Sequence, residues 1–142
     1  MIKVLCLVFI LYSCQSEKGP DASLHDYINY RFSSGQDRDW LLEHTWGELN
    51  NRIQRMNEQE LLQFTNMGHI KKKRVKINLK DCSASKCSIT YTVKYIDRKS
   101  QFVVQTKKIA TLVNIDGKWK VSDVNNIKSY MDSKKRLDIE SS

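Results

Sequence analysis

Residues 70–95, IKKKRVKINLKDCSASKCSITYTVKY, decide the fold. Val75, Ile77 and Leu79 alternate with Arg74, Lys76, Asn78 and Lys80. After the segment from Cys82 to Cys87 the alternation returns in Ile89, Tyr91, Val93 and Tyr95. Successive side chains of an extended chain point to opposite faces, so a period of two with one apolar face marks a half-buried strand. Two such runs joined by a short serine-rich turn predict an antiparallel hairpin.

Downstream, Asp97 to Ser100 reads as a second turn and Phe102 to Ile115 as a third strand, long enough to need a bulge near Thr106 to Lys108. Asp116-Gly117 is a two-residue hairpin signal. Lys118 to Val124 returns as a fourth strand with Trp119 and Val121 inward. Ile127, Tyr130 and Met131 have the spacing of one closing helical turn, and residues 133–142 form a flexible charged tail.

Upstream the period is helical. Leu24, Tyr27, Ile28 and Phe32 share one face of a helix beginning near Pro20-Asp21, and Gly35 stops it. Leu42, Trp46, Leu49, Ile53 and Met56 form a continuous stripe after Asp37 or Asp39, interrupted at Gly47. Asn57 and Glu60 stand at the two positions of a capping box for a third helix carrying Leu61, Phe64 and Met67, with Gly68 at its end.

Helices followed by strands predict a single α+β domain over residues 22–132, with the N-terminal helices packed on a curved four-stranded antiparallel sheet. The ending DGKWKVSDV, residues 116–124, resembles the last hairpin of small lipoproteins with the nuclear-transport-factor-2-like (cystatin-like) fold. The resemblance extends from about Pro20 to Asp132 and implies a cone-shaped domain. That superfamily includes isomerases, dehydratases, polyketide cyclases and non-catalytic binding domains, so it implies a shape and leaves the function open.

The first fourteen residues, MIKVLCLVFILYSC, have the parts of an export signal: Lys3, an apolar run from Val4 to Leu11, and the small residue Ser13. The apolar run is far short of the roughly 18 residues that span a bilayer. Leu11-Tyr12-Ser13-Cys14 resembles the lipobox of bacterial lipoproteins, which implies removal of residues 1–13 and acylation of Cys14. Residues 14–21 then form a polar tether, and loss of Lys3 lowers the net charge from +8 to +7. The expected location is the bacterial cell envelope. Gln15, in place of the Asp that signals inner-membrane retention, favours the outer membrane facing the periplasm.

Export sets the chemistry open to the remaining residues. Cys82 and Cys87 enter an oxidising compartment, where a disulfide is the default. Zinc is disfavoured, because there is no second cysteine pair and His25, His44 and His69 are scattered. The run Lys71 to Arg74 would mark nucleic-acid binding in a cytosolic protein; here the expected partner is different. Lys72, Arg74, Lys76 and Lys80 are expected on one outer sheet face, joined by Lys94, Lys118 and Lys120, as a contact for anionic headgroups or an envelope protein. Their alternative role is to solvate that face.

Tyr27, Trp40, Trp46, Tyr91, Tyr95 and Trp119 are the candidates to line a cavity between helices and sheet, or else to fill the core. Enzymes of this fold place an Asp base in that cavity, yet His25, Asp26, Asp39 and His44 match no catalytic motif. The reading is a membrane-anchored, non-enzymatic binding or structural domain without cofactor, metal or nucleic acid. The alternative is a small-molecule pocket protein or enzyme of the superfamily, with an inhibitor or immunity-type module as a third class.

Overall fold

The computed structural model describes residues 17–132. The expected signal peptide, Cys14 and its lipidation, and the tail at 133–142 lie outside the described residues, as does the side chain of Lys72. Four helices precede four strands: α1 (Pro20–Arg31), α2 (Arg38–His44), α3 (Gly47–Arg55), α4 (Glu58–Thr65), β1 (Ile70–Cys82), β2 (Lys86–Asp97), β3 (Val103–Ile115) and β4 (Lys118–Asp132). The strands form an antiparallel meander in the order β1-β2-β3-β4, and the helices cover one of its faces. The expected α+β class holds.

Pro20 opens α1, where its missing N–H costs nothing, and Asp21 sits in the first turn near the positive end of the helix dipole. Pro20 and Asp21 therefore belong to the helix and not to the tether. Leu24, Tyr27 and Ile28 are its buried stripe. The stripe expected from Leu42 to Met56 is broken into two helices. Thr45 and Trp46 are extended and Gly47 adopts φ +59°, a conformation open to a residue without Cβ. The corner is pinned to the sheet: Thr45 pairs with Val121, and the Trp46 N–H donates to the Val121 carbonyl at 2.9 Å. The α4 capping box forms as read, with the Asn57 side chain accepting from the Glu60 N–H at 2.9 Å and Glu60 accepting from the Asn57 N–H at 2.8 Å.

Asp116 and Gly117 both take positive φ, +52° and +84°, the backbone of a tight hairpin turn whose twist matches its strands. Cys82 and Cys87 are cross-strand partners joined by a disulfide, which closes the β1–β2 turn. The core lies between the helices and the inner sheet face, around Leu24, Leu41, Ile53, Ile89, Leu112 and Val121, all essentially inaccessible.

Bulges alter the expected faces. In β1, Ile77 pairs with Tyr91 while Leu79 pairs with Thr90, so Asn78 is an extra residue and the alternation inverts beyond it. Leu79 consequently faces outward, 66% exposed, and Lys80 turns to the helix side. The assignment of Lys80 to the outer face with Arg74 and Lys76 is thereby corrected. Two further irregularities lie between β3 and β4, one of them opposite Lys107 and Lys108 where a bulge was expected; the extra residues, Ser122 and Ile127, belong to β4. The segment from Ile127 to Met131 is a continuation of β4 and not a helical turn.

A candidate anion-binding cavity

A cavity of about 180 Å³ lies between α1, α3, α4 and the inner face of the sheet. Tyr27 and Arg31 reach it from successive turns of α1, and Arg52 comes from α3. Tyr91 of β2 and Lys108 of β3 are cross-strand neighbours and form the sheet side. Apolar side chains, Phe64 and Val93 among them, make up the remaining wall.

Arg31 is held firmly. Its Nη2 donates to the Phe64 carbonyl at 2.9 Å and its Nη1 to Gln36 Oε1 at 2.5 Å, while the guanidinium lies 3.9 Å from the Phe64 ring centroid. Gln36 in turn donates to the Arg31 and Thr65 carbonyls at 2.8 and 3.0 Å, binding the ends of α1 and α4 together. Arg31 also lies near Tyr27, and its positive charge favours the ionised phenol there. Arg52 approaches the same Phe64 ring at 5.8 Å. Two guanidinium groups thus approach one aromatic ring, a favourable placement for each cation.

Burial shapes the proton affinities. It lowers Arg31, opposed by neighbouring Tyr27 and reinforced by Arg52. It lowers Lys108, with Arg31 adding repulsion. The two phenols are raised, Tyr27 by burial against the pull of Arg31, and Tyr91 by burial and by Tyr27. Both phenols therefore stay neutral to higher pH than an exposed tyrosine does. Among the described residues, none of Arg31, Arg52 and Lys108 has a carboxylate within ion-pair distance, whereas Lys18, Arg38, Arg55 and Lys80 each do.

Of the six aromatics expected to line a cavity, only Tyr27 and Tyr91 meet here. Tyr95 lies beside Phe32, centroids 6.1 Å apart. Trp40 is sandwiched between Tyr30 and His44 at 3.7 and 3.6 Å. Trp46 is 45% exposed with the Lys120 ammonium 5.8 Å from its ring. Trp119 borders a separate open groove that also contains Asp26 and His44. Asp26 is engaged by Lys18 at 2.7 Å, and His44 Nδ1 lies 2.8 Å from the Trp40 carbonyl.

The outer basic face includes Arg74, Lys76 and Lys94, all exposed, with Arg74 and Lys94 directly opposite each other and exposed Lys107 opposite Thr92 on the same face. Lys80 instead meets the Asp21 carboxylate, 3.0 and 3.1 Å from its two oxygens. Lys73 also turns to the helices, donating to Asn29 Oδ1 at 2.6 Å. No helix among the described residues is long and apolar enough to cross a membrane.

Arg31 and Lys108 were absent from the expected site, although each carries a signal. Arg31 follows Tyr27 by four and Ile28 by three, so it shares the buried stripe of α1. Lys108 precedes Ala110 and Leu112 by two and four, in phase with the inner face of β3.

No family model and no curated protein matches this chain. Its fold is similar to the solution structure of a SEC-C motif containing protein from Rhodopseudomonas palustris, with TM-score 0.57 and 13% identity over 77% of this chain and 79% of that one. At that identity the likeness is one of fold.

Proposed function

We propose that this chain is a bacterial envelope lipoprotein, anchored by acyl chains on Cys14, whose domain is a non-catalytic binding module built as a nuclear-transport-factor-2-like cone. The observation that carries the binding role is the cavity between helices and sheet, where Arg31, Arg52 and Lys108 converge with two neutral phenols. Such a lining can hold and orient a ligand. The cone reading draws support from helices gathered on one face of a bulged antiparallel sheet. The lipid anchor rests on the lipobox-like residues 11–14, and the outward Arg74, Lys76 and Lys94 supply a face that attracts anionic headgroups or an acidic envelope partner.

The anchor is tested by growing cells expressing wild-type and Cys14→Ser chains with a fatty-acid probe. The wild type takes the label and fractionates with membranes, and the variant does neither. Equal labelling of the two removes the lipoprotein assignment.

A further inference from the structure

We infer that the cavity binds a small organic carboxylate, its charged end held by Arg31, Arg52 and Lys108 and its apolar body by the Val93 and Val124 side. This inference rests on the reading of the cavity as a binding site; it does not depend on the lipid anchor.

Three observations point to an anion. First, three cations border one cavity of about 180 Å³ with no carboxylate beside any of them among the described residues. Like charges brought together away from water repel, and removing water makes each harder to keep charged. An anion between them relieves both penalties at once. Second, Arg31 is fixed by the Phe64 carbonyl, Gln36 and stacking on Phe64, so its orientation is set before a ligand arrives. Its hydrogen bonds to Gln36 and the Phe64 carbonyl use two of the five guanidinium N–H donors. Third, Tyr27 and Tyr91 line the same cavity, and a phenol hydroxyl can donate to a carboxylate oxygen.

The remaining wall chooses among anions. Leu49, Val93 and Val124 give the cavity an apolar wall that hydrated phosphate or sulfate cannot use, whereas a short hydrocarbon or aromatic body can. The volume lies below the roughly 300 Å³ at which drug-sized pockets begin, which restricts the ligand to a body no larger than a single ring.

The test uses the full-length chain in detergent, titrated calorimetrically with butyrate, benzoate, benzamide and inorganic phosphate. Butyrate or benzoate binds saturably, and benzamide binds at least tenfold more weakly. Arg52→Gln and Lys108→Met, which remove no hydrogen bond present in the fold, each weaken carboxylate binding at least tenfold, or about 1.4 kcal/mol. Melting temperatures no lower than that of the wild type at neutral pH show that both variants fold. Benzamide binding as well as benzoate overturns the anion assignment and leaves the cavity as a binding site. Phosphate binding in preference to both carboxylates overturns the ligand class. Absence of saturable binding by all four compounds overturns the cavity reading as well, and fatty-acid labelling at Cys14 is untouched by any of these results.

Discussion

Lys80 and Ile89 are directly opposed across the β1–β2 ladder, although the alternation running from Val75 puts Lys80 on the face away from the core. The cause is Asn78, the extra residue, whose side-chain oxygen accepts from the Thr92 hydroxyl at 2.8 Å. Its consequence is testable by placing a charge on either side of it. Leu79→Lys, at an outward position, should change stability by no more than about 0.5 kcal/mol in urea unfolding. Ile77→Lys, on the core side, should cost about 2 kcal/mol or more. Comparable losses from the two substitutions would mean that the phase does not invert. Lys80→Ala should cost under about 1 kcal/mol, because its pair with Asp21 is partly exposed.

Tyr91 makes stability depend on alkaline pH. Burial and neighbouring Tyr27 raise its folded-state pKa well above the ordinary value of 10. Its contribution is fully present below pH 10 and is lost as pH rises further, since the unfolded phenol ionises first. Urea midpoints measured between pH 8 and 11 should fall more steeply above pH 10 for the wild type than for Tyr91→Phe. Parallel curves for the two proteins would remove this residue from the alkaline transition. Lys108 acts in the opposite direction: its lowered pKa lets the folded state shed a buried charge before the unfolded chain does. Lys108→Met should therefore steepen the alkaline loss.

The disulfide closes a loop with a sequence separation of 5. Chain entropy assigns a loop that short about 2 kcal/mol of stabilisation. Reduction should lower the unfolding free energy by about that amount without unfolding the domain, and native unreduced protein should leave Cys82 and Cys87 unreactive to alkylation. Rapid alkylation of both thiols before reduction would contradict the bridge in the native protein.

The revised outer face changes which residues should meet an anionic membrane. Arg74→Gln, Lys76→Gln and Lys94→Gln combined should abolish most low-salt adsorption to vesicles containing phosphatidylglycerol, whereas Lys80→Gln should have little effect. Adsorption should weaken sharply with ionic strength, because the charges act over a screening length of about 8 Å at physiological salt. Cosedimentation with vesicles at two salt concentrations reads this directly; equal loss from the Lys80 variant would argue against the assigned face.

The legible parts of the fold were those whose determinants are local. Asn57 and Glu60 satisfy each other's backbone within one helical turn, and Asp116-Gly117 supplies the positive φ its hairpin needs. The end of β4 was misread for a physical reason. The extra residue at Ile127 breaks the alternation, so Ile127, Tyr130 and Met131 fall three and one residues apart and imitate a helical turn, although the backbone stays paired with β3. Such bulges depend on the partner strand, which a local pattern does not contain. The cavity was half legible: Tyr27 and Tyr91 carried the apolar signal being sought, whereas Arg31 and Lys108 occupied inward phases but looked like surface residues by type.

Among the described residues β1 is also an edge of the sheet, one side of its backbone left without a neighbouring strand. A regular, apolar edge invites a second molecule to continue the ladder and begin an aggregate. Here two breaks in register interrupt the strand, and Lys71, Lys73, Arg74, Lys76 and Lys80 run along it. A second copy docking by the same edge would set cation against cation and would find the hydrogen-bond spacing wrong at both interruptions. The bulge that complicates the reading of this strand therefore also guards against edge-to-edge fibre growth when many copies are crowded together.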